Sequence, residues 1–337
     1  MSEFINRPLS RRGFLGGATV AAGLGLTACG GGQQKAAEAP SGKEGGGTIT
    51  AGTAYSTQNY DPSTTSSALA LGVNWQVVEG LYGLNFHDYS TFNELATADP
   101  KKVDDNTFEI TIRDGAKFSD GNEVKADDVV ESFNRSSAKG SVYVPMLAPI
   151  ASVEKKDDKT VTVKTTIANF SLLKERLSIV RVVPASSSQD EMKKQPVGSG
   201  PWQFESISDN TLDLVPNKNY NGATPAKDDK LHYDVLKDPT ARLTAQQDGT
   251  TLAMEMVPAD AVDQLKGAGC TVDAVQGFGV RFAMFNLGKA PWDNVKVRQA
   301  CLYALDTDKM LANAFSGQAE VATSYLPSSF ANYHKAS

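Results

Sequence analysis

The chain has 337 residues, 40% of them hydrophobic and 21% charged, with a formal net charge of −6. Such a length accommodates one large domain or two ordinary ones, and the balance excludes a disordered chain. The negative charge, with no basic cluster to offset it, excludes nucleic acid as a partner.

The chain opens "MSEFINRPLSRRGFLGGATVAAGLGLTACGGG". Arg7, Arg11 and Arg12 make a basic start, and residues 13–28 are small, apolar and uncharged. These 16 residues fall short of the roughly 20 that a spanning helix needs, so the segment reads as a signal peptide. Ser10-Arg11-Arg12-Gly13-Phe14-Leu15 resembles a twin-arginine export motif. Leu26-Thr27-Ala28-Cys29 resembles a bacterial lipobox, whose cysteine is lipidated after cleavage just before it. An ordinary signal peptide with an incidental cysteine is the alternative. The expected division is a signal peptide over 1–28 and a Gly/Ala/Pro-rich flexible tether over 29–47. Cleavage would lower basic residues from 33 to 30 and acidic ones from 39 to 38, a mature charge of −8. A lipid anchor would hold the domain at the outer face of the cytoplasmic membrane or in the periplasm. Gly23 to Ala28 also spells a dinucleotide pattern, but no strand precedes it, so it carries no weight.

Thr48, Ile49 and Thr50 predict a strand, and Asp61-Pro62 a turn. Leu69, Val73, Gln76 and Val77 fall at helical spacing, with Gly80 near the end. "NTFEITIRDG" alternates Phe108, Ile110 and Ile112, a half-buried strand that stops at Asp114-Gly115. The run from Arg113 to Phe133 then holds Asp114, Asp120, Glu123, Asp127, Asp128 and Glu131. Dense carboxylates can mean a metal site, an acid/base pair, or turns and a helix start. The spacing fails the calcium-loop pattern. Asp114-Gly115 and Asp120-Gly121 read as turn dipeptides. Asp127 and Asp128 fall in a first helical turn, where negative charge meets the helix dipole favourably.

Further on, Val153, a charged turn, Val161 and Val163 predict a hairpin, and "LLKERL" a short helix. Gly198-Ser199-Gly200 lacks the Lys-Ser/Thr of a phosphate loop. Leu212 and Leu214 alternate in a second hairpin, "DPTARLTAQQDG" and "PADAVDQLKGAG" read as short helices, and "RFAMFNL" as an apolar strand. In the last region Val297, Ala300, Cys301, Ala304 and Leu305 form a helical apolar stripe, capped by Asp293 or Asn294. Asp306-Thr307 starts another helix carrying Met310, Leu311, Ala314 and Phe315. Cys301 on that stripe reads as core, and Cys270 and Cys301 as buried hydrophobes or a disulfide. His87, His232 and His334 lie far from any cysteine, so no zinc, other metal or cofactor is expected. The mixed order of strands and helices predicts an α/β or α+β protein.

Several stretches together resemble the peptide-type substrate-binding proteins of ABC importers, solute-binding protein family 5. Tyr60-Asp61-Pro62 resembles that family's Leu-Asp-Pro, and Val78-Glu79-Gly80-Leu81 its Tyr-Glu-Gly-Leu. Phe108 to Phe133 resembles its long signature "tFxLRxGxKFsDGxPxxAxDVxxSf". Pro196 to Trp202 resembles Pro-x-Gly-Thr-Gly-Pro-Tyr, and Asn217 to Tyr220 resembles Asn-Pro-x-Tyr. Phe285-Asn286 through Asp306 resembles "fNxxxpPfdDvrVRqAxxyAiD". The resemblance implies a two-lobed periplasmic-binding-protein-like α/β fold with an extra subdomain. Lobe one would hold 46–78 and 196–282, the inserted subdomain 79–195, and lobe two would begin at 283 and stay incomplete at 337. Lys125 departs from the family's usual Thr or Ser, so the helix near Ala126 lacks its usual cap; Leu252 stands where Asp is usual.

The resemblance implies a monomeric protein that captures a peptide or similar small solute between its lobes. It would deliver that solute to permease and ATPase subunits, and it would not be an enzyme. Candidate ligand residues are Tyr55, Ser63 and Thr64 after the first strand, Tyr143, and Phe278, Gly279 and Arg281 before "FN". For each the alternative is a surface loop residue, and for Arg281 a solvated charge. A solute-sensing receptor on the same fold is a second reading. A secreted hydrolase is a third, although Gly-x-Ser-x-Gly and HExxH are both absent.

Overall fold

The computed structural model describes residues 46–86, 88–274, 277, 279–316, 318–328 and 333–335. The export and lipidation residues Arg11, Arg12 and Cys29, the tether up to residue 45, His87 and Phe278 lie outside the described residues. In chain order the elements are β1 (Thr48–Thr53), α1 (Ala68–Val77), β2 (Tyr82–Leu84), β3 (Thr91–Asn93), β4 (Lys101–Lys102) and β5 (Thr107–Thr111). Next come α2 (Ala126–Ser137), α3 (Val144–Leu147), β6 (Ile150–Lys155), β7 (Thr160–Thr165), α4 (Leu173–Leu177) and α5 (Gln189–Lys194). After them follow β8 (Trp202–Ile207), β9 (Thr211–Pro216), β10 (Lys230–Val235), α6 (Pro239–Gln247), β11 (Ala253–Met254), α7 (Val262–Gly267), α8 (Val295–Tyr303) and α9 (Thr307–Phe315).

Two sheets organise two cores. The first has the order β11-β1-β10-β9-β8, with β1 parallel to β10 and β11 and the β8–β9–β10 run antiparallel. Alternation sorts its faces. Leu212, Leu214 and Leu231 turn inward with Trp202 and Phe204 against Leu69, Val73 and Val77 of α1. Lys230, His232 and Asp234 occupy the alternate positions of β10 and therefore the other face. There α6 crosses β1 so closely that a Cβ on Gly52 would sit 3.3 Å from Cγ of Arg242. The second sheet has the order β4-β5-β7-β6. Phe108, Ile110, Val161 and Val163 from it pack with Val129 and Phe133 of α2 and Leu147 of α3. Both hairpins and the alternating strand at Phe108 form as the sequence predicts.

The segment 198–200 crosses against the carboxyl end of α1. Gly200 N–H donates to Val77 O at 2.8 Å, and a Cβ on Gly198 would lie 2.0 Å from that same oxygen. Only glycine admits this approach.

The acidic stretch serves the backbone. Gly115 and Gly121 take φ of +70° and +92°, as their turns require. Asp120 accepts from Asn122 N–H. Asp128 accepts from Lys125 N–H at 2.8 Å, which supplies half of a capping box where Lys125 cannot cap. Its second oxygen accepts from Ala185 N–H at 2.8 Å. Burial raises the Asp128 carboxyl and outweighs these hydrogen bonds, which lower it. Asp127 pairs with Lys155, and Glu131 with Arg135.

Two expectations need correction. "RFAMFNL" forms no strand: residues 281–287 pair with nothing in a ladder, and Phe282 and Met284 are exposed. A strand requires a neighbouring strand for its backbone groups, and none stands beside this segment among the described residues. Helices α8 and α9 do form, capped by Asn294 and Asp306, but neither buries a residue. Cys301 is therefore not core, and it and Cys270 are free, half-exposed thiols. Caps and local hydrogen bonds suffice to wind a helix, whereas burial needs a second surface.

Candidate ligand-binding site

The parallel strands β1, β10 and β11 bring their carboxyl ends to one edge. In open α/β sheets ligands bind at that edge, outside the strand ends. Arg242 of α6 is buried there and staples the ends together. Its Nε donates to Glu255 O at 3.1 Å, Nη1 to Leu236 O at 2.6 Å and Nη2 to Met256 O at 3.1 Å. The Glu255 carboxylate accepts from the Thr53 hydroxyl and from Ala54 N–H. Tyr55 follows, 37% exposed, and Met256 is 58% exposed. Met256 holds φ of +54°, a left-handed conformation that costs a residue with a Cβ about 1–3 kcal/mol. The rim thus presents a phenol, a carboxylate and a thioether on a tied backbone.

The loop after β1 folds around Asp61, which is fully buried. Its carboxylate accepts from Ser63 N–H at 2.9 Å, Ser63 Oγ at 2.7 Å and Thr64 Oγ1 at 2.9 Å. Ser141 Oγ donates to Ser63 O at 2.8 Å and accepts from Tyr143 N–H at 3.1 Å. Ser63, Thr64 and Tyr143 are thereby brought into one cluster, although both hydroxyls are committed to Asp61. Burial raises the Tyr143 phenol. Against this loop lies a cavity of about 440 Å³, walled by Asp61, Ser63 and Thr64, by Arg135 and residues 138–141 at and after the end of α2, and by residues 187–189 at the start of α5. The bonds of this cluster do not include Tyr55, Gly279 or Arg281. Gly279 and Arg281 are exposed, and Arg281 has no ion pair among the described residues.

A buried ionic network lies between the two cores, and the sequence patterns did not reveal it. Arg113 grips Glu79 with two bonds of 2.8 Å. Arg181 donates to Glu94 at 2.8 Å, and Gly80 N–H donates to the same Glu94 oxygen at 2.6 Å. The Trp75 ring lies 3.2 Å over the Arg181 guanidinium. Burial pushes the Glu94 carboxyl up, while the Arg181 charge and the Gly80 bond pull it down. Glu79 and Arg113 stand in stretches that resemble family motifs, but their separation of 34 residues has no helical or strand period.

His232 has a partner the sequence did not show: Nδ1 lies 2.6 Å from Asp213 and Nε2 3.2 Å from Asp234. Ser206 donates to Asp213, not to the imidazole. With a carboxylate on each ring nitrogen, this histidine is not placed to take a proton from a serine nucleophile.

Residues 92–337 match the family described as bacterial extracellular solute-binding proteins, family 5 Middle. The chain belongs to solute-binding protein family 5. Heme-binding protein A of Haemophilus influenzae is 31% identical over 284 residues, 74% of this chain and 52% of that protein. Glutathione-binding protein GsiB of Pectobacterium atrosepticum is 28% identical over 281 residues, 80% of this chain and 54% of that one. The solved structure of NikZ from Campylobacter jejuni in complex with Ni(L-His) superposes with a TM-score of 0.72 at 21% identity, over 83% of this chain and 57% of that chain. The family 5 chain described here spans about half the length of the curated relatives it matches. Its fold is the two-lobed periplasmic-binding-protein type with mixed α/β content, of which it covers a part.

Proposed function

We propose that the protein is an exported, lipid-anchored solute-binding protein, not an enzyme, that captures a small solute between two lobes and passes it to the permease of an ABC importer. The observation that carries this reading is the stapled rim at the carboxyl ends of β1, β10 and β11 in a chain of family 5. The solute is a peptide or a close relative of one. A carboxylate, a phenol and backbone groups at a strand edge suit a peptide's ammonium end and amides, and one relative is named for glutathione. Other relatives are named for heme or solved with a nickel–histidine complex.

On this reading 46–78 and 196–282 make lobe one, 79–195 its inserted subdomain, and 283–337 the start of lobe two. The two separate hydrophobic clusters support that division up to residue 182, while Val183 and Met192 pack with the lobe-one cluster. Tyr55 contacts the solute directly, Ser63, Thr64 and Tyr143 shape the wall beside it, Gly279 and Arg281 contribute from the segment before lobe two, and Phe278 joins them on the ground of sequence alone. Cys29 carries the lipid, and Arg11 and Arg12 direct export.

Native mass spectrometry of the protein purified from cells tests the reading. A co-purifying peptide-sized mass is expected, weakened by Tyr55→Ala and Glu255→Gln; a bound free metal with no organic solute would overturn it. Membrane fractionation tests the anchor: Cys29→Ser is expected to release the protein from the membrane fraction.

A further inference from the structure

The outer face of the first sheet carries a ladder of charge that the ligand reading does not use. Asp213 on β9 and His232 on β10 stand directly opposite each other, and Asp234 is the next residue on the same face. Lys230 lies on that face as well, 2.6 Å from Glu205 of β8 and 3.6 Å from Asp213. From β1 the register partner of His232 is the uncharged Thr50. From α6 comes Arg242 beside Gly52, its donors already committed to main-chain carbonyls. The imidazole therefore sits between two carboxylates, with one lysine shared between Glu205 and Asp213.

The position of this ladder gives it leverage. β8 is the edge strand and its backbone pairs with β9, so the β8–β9 hairpin joins the backbone ladder through the β9–β10 seam, beside the Lys230–Glu205 side-chain contact. That hairpin continues directly from the 198–200 crossing, which abuts α1 and connects the two cores. An imidazolium donates to Asp213 across the β9–β10 seam and to Asp234 on its own strand, which fixes the ring for the cross-seam bond. A neutral imidazole can donate from one nitrogen only, and the other then meets a carboxylate with no proton between them.

We propose that Asp213, His232 and Asp234 form a proton-sensitive clasp at the β9–β10 seam, tightened when His232 is charged and donates to both carboxylates and weakened when it is neutral and donates to one. Burial alone would lower the histidine, but the Asp213 and Asp234 contacts outweigh it and raise it. Burial pushes Asp213 up, and its bonds from His232 and Ser206 outweigh that and lower it. A raised histidine stabilises the fold below its ordinary value of about 6.5 and loses that contribution as pH climbs through its folded value. A lowered carboxylate contributes above its ordinary value of about 3.9 and loses its contribution as pH falls. The clasp is thus strongest in mildly acidic solution and weakens toward alkaline pH. It does not depend on the solute reading.

The test is a proton NMR titration of the histidine ring signals in the full chain, with thermal unfolding of the same samples. His232 is expected to titrate above the ordinary histidine value and to move back toward it in Asp234→Asn. His232→Gln is expected to abolish most of the fall in Tm between about pH 6 and about pH 8. Titration of His232 at or below the ordinary value would overturn the proposal, as would a His232→Gln protein that keeps the full fall in Tm. If His232→Gln does not fold, the Asp234→Asn titration alone decides: an unmoved His232 overturns the clasp.

Discussion

Glu94→Gln is the sharpest probe of the seam between the two cores. The substitution keeps shape and an oxygen that can still accept from Gly80 N–H, but it removes the charge opposite Arg181. The Arg181 side chain is only 5% exposed and the Glu94 side chain 10%. Nε and Nη2 of Arg181 already lack hydrogen-bond partners among the described residues. Removing one partner of such a buried pair costs about 3–5 kcal/mol. Trp75 can return at most about 2 kcal/mol through its ring, and it already makes that contact. Glu79 cannot replace Glu94 freely, because Arg113 holds both its oxygens. A loss of about 3–5 kcal/mol is a large share of the roughly 5–15 kcal/mol that stabilises a typical protein. Urea unfolding should be followed by far-UV circular dichroism and by tryptophan fluorescence, to which the Trp75 ring stacked on Arg181 contributes. The midpoint is expected to fall steeply, and the paired variant Arg181→Met with Glu94→Leu should recover most of the loss. A single-variant cost below about 1 kcal/mol would refute the view that this pair holds the seam.

Other outcomes follow from the same geometry. Gly198→Ala places a methyl 2.0 Å from Val77 O, a backbone atom that cannot swing aside; soluble yield and Tm should collapse, a cost above about 3 kcal/mol. Asp61→Ala orphans the Ser63 N–H and two hydroxyls and should cost about 2–4 kcal/mol in chemical denaturation, whereas Asp61→Asn, which keeps an acceptor, should cost less. Tyr55→Ala should leave Tm within the range of an ordinary surface change, about 0.5 kcal/mol, while weakening solute capture in calorimetry. Met256→Gly relieves the left-handed backbone at φ +54° and should not lower stability in a thermal scan, though it removes the exposed thioether from the rim.

Much of this protein is local, and the sequence read it correctly for that reason. The period-2 run Phe108, Ile110, Ile112 became a strand with its apolar side chains buried. The Asp-Gly dipeptides became turns because glycine adopts positive φ without strain. Asn294 and Asp306 wound α8 and α9 through bonds within three residues. The family itself was legible, since its motifs are runs of neighbouring residues. What depends on distant partners was not legible. Apolar residues at 282–287 and on α8 and α9 predicted strand and core, yet a stripe becomes core only when a second surface covers it. The Arg181–Glu94 pair joins residues 87 apart, and the Asp213–His232 pair joins two strands through their register. Glu255 and Met256 became rim residues because β11 lies parallel to β1, a pairing set by the crossover of the chain. The sequence by itself determined turns, caps, alternation and kinship, because these follow from backbone sterics and short-range bonding. Only the tertiary structure decided which charges meet and which strand ends converge, because burial and register bring together residues that share no period along the chain.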